Sequence, residues 1–250
     1  MRLSTISALV ALGLFASASQ AEEEQGFTMD GEFGFIVTSG NTETTSANGA
    51  LNAKHELEMW SNEYTFKALY KKDEVDGVET TSADKKFASA QANYKLDNPD
   101  HRLFGFASYE NDRFGAFDYQ ATIAAGWNQK VWKDTTSSFE YSIGPGYTFA
   151  DRFDVDENDN IITVEENSAI LRGAFNYAYT ISETAKFTQT FSTEIGSDNT
   201  KSRAESAVSA KIAGGLSLKV ALKFDHNSDV ADGRENLDTE TSVSVVYTFF

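Results

Sequence analysis

Apolar and polar residues alternate along almost the whole chain from about residue 27 onward. In the clearest stretch, residues 117–131, Phe117, Tyr119 and Ile123 fall on the apolar side and Gln120 and Lys130 on the polar side. Successive side chains of a β-strand point to opposite faces, so this period predicts strands with one apolar face. We identify twelve such segments of around ten residues. A tilted strand needs about 9–11 residues to cross a bilayer.

The connections between these segments alternate between short and long. The short ones are residues 61–62, 97–100, 133–136, 182–184 and 214–215. The long ones are residues 39–45, 72–84, 111–116, 150–166, 196–202 and 226–238. Membrane barrels have short periplasmic turns, longer extracellular loops and an even number of antiparallel strands. The chain is therefore predicted to be all-β, with a transmembrane antiparallel barrel of about twelve strands over residues 27–250.

Aromatic residues near both ends of the segments support this prediction. Trp60, Tyr94 and Trp132 lie near short turns, and Tyr109, Phe117 and Tyr147 are among those toward the long loops. Two aromatic belts are typical of barrels at the lipid–water boundaries. Pro145 lies within a segment and has no N–H to donate to a ladder. We therefore predict a bulge or kink at residues 144–146.

Both ends of the chain carry export features. Residues 1–21 combine an early Arg2, an apolar run and small residues before the predicted cleavage site, as a signal peptide does. A short acidic segment, 22–26, separates it from the barrel. The ending with Tyr247, Phe249 and Phe250 resembles the C-terminal signal read by the barrel-assembly machinery, with Phe250 as one extra residue. The predicted location is the cell outer membrane.

Composition excludes several classes of protein. There is no cysteine, which excludes disulfide scaffolds and thiolate sites. The net charge of −17 argues against nucleic-acid binding, which needs Lys and Arg on phosphates. The predicted partners are outer-membrane lipid and lipopolysaccharide, whose phosphates the acidic loops would face, and the barrel-assembly machinery during biogenesis. The oligomeric state is left open.

Two stretches carry a family resemblance. "GFIVTSGNTETTS" (34–46) and "YENDRFGAFDYQATIAAGWNQKVW" (109–132) resemble the YdiY-like, salt-induced outer membrane protein family of the Gram-negative envelope, also known as domain of unknown function 481. The resemblance extends from about Phe27 to the end. It implies an outer-membrane location and a link to salt stress, and it supplies no catalytic residues.

Three functions follow from these observations. The first is a non-enzymatic barrel that supports the envelope under salt or osmotic stress. The second is a porin-like, small-solute channel with a narrow, charge-balanced lumen, because the polar face is continuous along every segment. The third and weakest is an outer-membrane hydrolase. Its candidates His226, Asn227 and Ser228 are adjacent in sequence, which does not place a base beside a nucleophile.

The polar face carries nearly equal numbers of cationic and anionic residues. Twelve residues represent the predicted lumen lining: Lys54, Glu56, Lys67, Gln120, Lys130, Glu140, Arg172, Lys186, Glu194, Arg203, Glu205 and Lys219. A barrel of eight strands is filled by side chains and one of sixteen holds an open channel. Twelve strands fall between these cases, so both a closed and a narrowly open lumen fit the sequence.

The longest loop resembles a twelve-residue calcium loop. Asp154, Asp156, Asn158, Asn160 and Glu165 fall at positions that supply oxygen ligands in such loops. An aspartate stands where glycine normally makes the sharp turn, and no helices flank the loop. A soluble acidic loop is the favoured interpretation, with a low-affinity extracellular calcium site as the alternative. No other cofactor is predicted.

Overall fold

A computed structural model describes residues 26–38, 42–75, 78–115, 117–156, 160–230 and 235–250. The strands are β1 Phe27–Thr38, β2 Thr42–Glu56, β3 Trp60–Val75, β4 Val78–Lys95, β5 His101–Asp112, β6 Phe117–Lys133, β7 Ser137–Val155, β8 Ile161–Glu165, β9 Ser168–Thr180, β10 Ala185–Ile195, β11 Thr200–Ala213, β12 Leu216–Asn227 and β13 Leu237–Thr248. None of the described segments is a helix long and apolar enough to cross a membrane. The predicted signal peptide lies outside the described residues.

Twelve strands form a closed antiparallel wall. Sequential strands pair from β1 to β7 and, past the small β8, from β9 to β13, while β7 pairs with β9. The wall closes where β1 pairs with β13, with Asp30 opposite Thr248 and Phe33 opposite Val245. The prediction of an all-β barrel of about twelve strands is confirmed. Closure also satisfies the backbone groups that an open sheet would expose to lipid.

The thirteenth strand, β8, lies outside the wall. It pairs with the outer end of β7, with Asp151 opposite Glu165 and Val155 opposite Ile161. Glu166 and Asn167 separate it from β9, and the Asn167 side chain accepts a hydrogen bond from the Ala150 N–H at 3.3 Å. The predicted long loop 150–166 is therefore largely a hairpin that extends the β7–β9 pair beyond the barrel.

Burial is inverted relative to a soluble domain. Large apolar side chains such as Phe33, Ile123 and Val243 are exposed on the outer face. The largest fully buried side chains are polar, and they include Arg102, Asn93 and Asn128. Hydrophobic side chains pay no penalty facing lipid, whereas polar ones need partners inside the barrel. The observed faces therefore follow the alternation in the sequence.

Phe117 is an exception to the predicted outer face. A register shift in the β6–β7 ladder between Phe117 and Tyr119 changes which side these residues face. Phe117 is consequently only 5% exposed and packs against Ala150 and Val230 inside the mouth of the barrel. The predicted membership of Phe117 in the outer aromatic belt is wrong, because the bulge reverses the alternation at that point.

Of the bulge or kink predicted at residues 144–146, the bulge is not present. Strand β7 is continuous there, and its register with β6 is the same on both sides, since Ala124 pairs with Gly146 and Trp127 with Ile143. The neighbouring glycines instead permit a close approach of the two backbones. A Cβ added at Gly144 would lie 2.1 Å from the Ala125 carbonyl oxygen, and no side chain tolerates that contact.

The carboxyl-terminal aromatics lie at the seam of the barrel. The Phe249 N–H donates to the Met29 carbonyl at 2.9 Å. The Phe250 ring lies 5.9 Å from the Phe27 ring, and Tyr247 contacts Phe249 edge-on at 5.0 Å. These residues therefore join the last strand to the first at the end of the barrel that carries the short turns.

Candidate functional site: the barrel lumen

A chamber of about 800 Å³ occupies the lumen. Two opposing parts of its wall carry uncharged hydrogen-bonding side chains. Those on β9 and β10 are Asn176, Thr188, Thr190 and Ser192, and those on β2 to β4 are Asn52, Thr65, Ser89 and Gln91. The alternation places these side chains inward because their neighbours in sequence face lipid. The chamber is thus lined by groups that can hydrogen-bond water or a polar solute.

Five charged residues connect opposite walls above the chamber. Glu110 on β5 accepts hydrogen bonds from Lys201 at 2.6 Å and from Arg203 at 2.7 Å, both on β11. Asp225 on β12 accepts from Lys85 of β4 at 2.8 Å and from Arg203 at 3.3 Å. We call these five residues the outer bridge. Since β5 and β11 lie five positions apart around the wall, the bridge crosses the lumen.

The outer bridge lies between two spaces that share part of their lining. A smaller cavity of about 220 Å³ lies on the side of the long loops, lined in part by Phe117 and Val230. The residues that line both this outer cavity and the chamber are Lys85, Glu110, Asp112, Phe114, Asp225 and Asp238. Direct bonds between opposite walls require the walls to lie within the reach of two side chains. The bridge therefore narrows the lumen between the long loops and the chamber.

A second set of ion pairs crosses the lumen at mid-height. Lys219 bonds Glu32 at 2.9 Å and Glu205 at 2.7 Å, and Glu205 also pairs with Lys67 at 3.3 Å. Ser244 donates to Glu32 at 2.6 Å. Lys67 lies on β3 and Glu205 on β11, so this pair also reaches across the barrel. The Lys67 side chain is 45% exposed. Its pair with Glu205 therefore stays hydrated and is weaker than the pairs of the outer bridge.

The inner end of the lumen is organised around Arg102, which is 1% exposed. Its Nε donates to the Pro99 carbonyl at 3.0 Å, and its two terminal nitrogens lie 3.8 Å from Glu56 and 3.9 Å from Glu140. Lys95 pairs with Glu56 at 2.9 Å. The inner end therefore holds a cationic centre between carboxylates from opposite sides.

Two arginines lie over phenylalanine rings inside the lumen. The Arg172 guanidinium carbon is 3.7 Å from the Phe106 ring centroid, and that of Arg203 is 5.1 Å from the Phe87 centroid. Cations within about 6 Å of a ring face are attracted by its quadrupole. The rings thus fix the positions of the two guanidinium groups on the chamber wall.

The structure distributes the predicted lumen residues over these sets. Arg203 belongs to the outer bridge, and Gln120 accepts a short hydrogen bond from Lys201. Lys67, Glu205 and Lys219 form the mid-height set. The remaining ones with ion pairs are Lys54, Glu56, Glu140, Arg172 and Glu194. Lys130 and Lys186 make no ion pair within the described residues.

Four members of the outer bridge are missing from the twelve predicted lumen residues. Glu110 falls on the polar face of its segment, Lys85 just after the predicted loop 72–84, Lys201 in the predicted loop 196–202 and Asp225 at the predicted end of its segment. The strands continue further than predicted, since β4 begins at Val78 and β11 at Thr200. The continuing alternation was an available signal: Lys85 precedes Phe87 by two residues and Lys201 precedes Arg203 by two.

The described residues of the predicted calcium loop do not converge on one point. Asp154 pairs with Ile162 and Glu165 with Asp151 along the β7–β8 ladder. Asn160 closes the hairpin by donating its backbone N–H to the Asp156 carboxylate at 2.9 Å. Within the described part of the chain, no group of three or more acidic or histidine side chains could hold a metal ion. Asn158 lies outside the described residues, and calcium binding stays a prediction.

The adjacent residues proposed as a hydrolytic site have other contacts. The Ser228 hydroxyl donates to Asn199 at 3.2 Å and accepts from the Thr200 N–H at 2.7 Å. Asn199 also donates to the Asn227 side chain at 3.2 Å. These bonds tie two neighbouring outer loops together. Of the bonds that Ser228 makes among the described residues, none goes to His226.

An apolar outer face, a closed antiparallel wall and a polar lumen define a transmembrane β-barrel. The fold is similar to the NanC porin, with a TM-score of 0.51 and 10% identity over 89% of this chain and 100% of that one. It is also similar to the COG4313 outer membrane channel from Pseudomonas putida F1, with a TM-score of 0.51 and 9% identity over 93% of this chain and 100% of that one.

The chain belongs to the family described as "Protein of unknown function, DUF481", which it matches over residues 31–249. It is 26% identical over 262 aligned positions to the uncharacterized protein YdiY of Escherichia coli (strain K12), covering 98% of each chain. The family predicted from residues 34–46 and 109–132 is therefore confirmed.

Proposed function

We propose that this protein is an outer-membrane channel for small polar solutes, closed at the outer bridge in the conformation described. The chamber of about 800 Å³ carries the proposal. Cavities of about 300–1,000 Å³ are the size that encloses small ligands. A barrel whose only task were mechanical would gain stability by filling this space with side chains, because empty or hydrated volume forfeits packing contacts.

The outer bridge supports a channel that opens. Its members are held by hydrogen bonds and ion pairs that rearrange without breaking the wall, because all backbone pairing lies in the strands. Removing the Glu110 carboxylate would break the charged contact between β5 and β11, because Lys201 and Arg203 both lie on β11. Arg203 would keep its bond to Asp225, and the lumen beside β5 would widen toward the chamber.

The test is planar-bilayer conductance of the refolded barrel. We expect small or infrequent current steps for the wild type and larger or longer-lived steps for Glu110→Gln. Glu79→Gln is the matched control, because Glu79 pairs with Lys72 on an exposed part of the β3–β4 hairpin. A silent bilayer for both the wild type and Glu110→Gln, with insertion verified, would overturn the channel.

The role in salt or osmotic stress is a separate proposal that rests on the family resemblance alone. Growth and detergent sensitivity of a deletion strain across salt concentrations test it, and an unchanged strain in every salt would count against it.

Recognition of Tyr247, Phe249 and Phe250 by the barrel-assembly machinery is also a separate proposal, which rests on the resemblance of this ending to an assembly signal. Truncation of these exposed residues should reduce the assembled fraction in the outer membrane.

A further inference from the structure

Arg172 on the chamber wall is buried but poorly hydrogen-bonded. The residue is 7% exposed, and a guanidinium carries five N–H donors. Within the described residues it makes one hydrogen bond, from Nη1 to the Ser142 hydroxyl, at the long distance of 3.5 Å. Its Nε has no hydrogen-bond partner. Buried charged donors normally have partners, so this side chain has the capacity to bind a further partner, water or a solute, at the chamber wall.

Glu194 on β10 is the matching incomplete acceptor. Its Oε2 accepts from the Thr122 hydroxyl at 3.1 Å. Its Oε1 lies 3.8 Å from the Arg172 Nε, which is too long for a hydrogen bond. Both residues line the chamber. An anion and a cation are thus held side by side, each with unused hydrogen-bonding capacity.

Local packing fixes the position of Arg172. It lies opposite Gly144 in the β7–β9 ladder, where the β6 and β7 backbones approach each other closely. On its other side the guanidinium is held against the Phe106 ring. The guanidinium therefore has a fixed position on the chamber wall, with its Nε fully buried, so a solute in the chamber would meet its terminal nitrogens.

We propose that Arg172 and Glu194 bind the two charged ends of a small zwitterion of the α-amino acid type; this inference rests on the proposed channel. The carboxylate of the solute would accept from Arg172 and its ammonium group would donate to Glu194. A simple anion at Arg172 meets the like charge of Glu194 beside it, and a simple cation at Glu194 meets the like charge of Arg172. A neutral dipolar solute satisfies both residues at once.

The surrounding wall fits the rest of such a solute. Ser142, Ser192 and Asn176 line the same chamber and offer uncharged donors and acceptors. Arg binds carboxylates through paired N–H groups, which also orients the ligand. A small, polar or short apolar side chain would then extend into the open part of the chamber.

The experiment is calorimetric titration of the refolded barrel in detergent with three probes of similar size. L-Alanine carries both charges, lactate carries only the carboxylate, and alaninamide carries only the ammonium group. We expect alanine to bind about tenfold or more tightly than either of the others, because each loses one charged contact and leaves a like-charge neighbour. Arg172→Gln and Glu194→Gln should each weaken alanine binding by a similar factor.

Two controls separate recognition from misfolding. Ser89→Ala alters the opposite wall of the chamber and should leave alanine binding unchanged. Arg172→Lys keeps the charge and should restore part of the binding lost in Arg172→Gln, with folding of all variants checked by gel mobility before and after heating. Failure of Arg172→Gln to fold would leave Glu194→Gln as the deciding variant.

The outcomes distinguish this inference from the channel itself. Equal heats for alanine and lactate, or for alanine and alaninamide, would overturn the zwitterion site. No heat from alanine at roughly millimolar concentration would also overturn it and assign water alone to the pair. Alanine binding without any current steps in the bilayer would contradict the channel and support the zwitterion site. Current steps without alanine binding would support the channel and contradict the site.

Discussion

Glu110 and Arg203 bond directly at 2.7 Å although they belong to strands on opposite sides of the barrel. A pair at this position fixes the distance between opposite walls of the barrel, which a pair between neighbouring strands does not. Glu110 is 7% exposed and also accepts from Lys201. The carboxylate therefore has a full set of charged partners, and its neutralisation affects the whole outer bridge.

Thiol labelling should show directly whether the outer bridge obstructs the path from the outside to the chamber. The native chain contains no cysteine, so Ser89→Cys introduces a single reporter on the chamber wall. A membrane-impermeant thiol reagent added outside intact cells is expected to label it slowly, because the outer bridge blocks the path. Labelling should become several-fold faster when Glu110→Gln or Arg203→Gln is combined with the reporter.

Glu79→Cys serves as the control for reagent access, since Glu79 lies on an exposed hairpin and does not line the chamber. It should be labelled at the same rate with and without Glu110→Gln. Equally fast labelling of Ser89→Cys in both backgrounds would mean that the bridge obstructs nothing.

The close approach of β6 and β7 gives a stability prediction. Gly144→Ala would place a methyl group 2.1 Å from the Ala125 carbonyl oxygen. The backbones must separate to accept it, and overpacking of this kind costs about 1–3 kcal/mol. Gly105→Ala is the matched control, because its added Cβ meets nothing within 4 Å. Urea titration of the refolded barrels should show a lower midpoint only for Gly144→Ala.

Much of the fold was predictable because lipid and lumen impose one strict period on every strand. The wall of twelve strands followed from that period. Phe117 was placed on the wrong face because a single register shift reverses the period, and no residue type at 117–119 marks such a shift. A bulge was predicted at Pro145 because proline lacks an N–H, whereas the ladder keeps its register around it.

The residue types that line the lumen could be predicted from the sequence, but the contacts between them could not. The sequence places Glu110, Arg172 and Glu194 on inward faces, yet it contains no information on which residues meet across the barrel. That depends on the tilt and shape of the closed wall, which bring β5 within reach of β11. Lys201 was missed for a different reason, because polar residues at strand ends look like loop residues in a polar segment.

Ile123 tests the assignment of the outer face. Its side chain is 53% exposed near the middle of β6, and arginine on a lipid face costs about 2–4 kcal/mol near the bilayer midplane. Ile123→Arg should therefore lower the stability of the barrel in lipid vesicles by this amount. Thr190→Arg is the control on the chamber wall and should have a much smaller effect, because its head group stays in water. Equal effects in urea titrations would contradict the assigned faces.

Asp134 gives the turn between β6 and β7 a pH-dependent stability. Its carboxylate accepts the backbone N–H of Thr136 and of Ser137, each at 2.7 Å. These bonds and those from the two hydroxyls hold the pKa of Asp134 at about 2, below the usual value near 3.9. A carboxyl with a lowered folded pKa stabilises the fold above its unfolded pKa, and this contribution disappears as the pH falls through about 2.

Asp134→Asn should accordingly lower the urea midpoint at pH 7, because the amide forms weaker hydrogen bonds with the turn. Its difference from the wild type should shrink as the pH is lowered from about 4 toward 2. Asp97→Asn, in the preceding short turn, is the control, since Asp97 makes no side-chain hydrogen bond within the described residues. A difference that stays constant over this pH range would show that Asp134 acts through its shape and not through its charge.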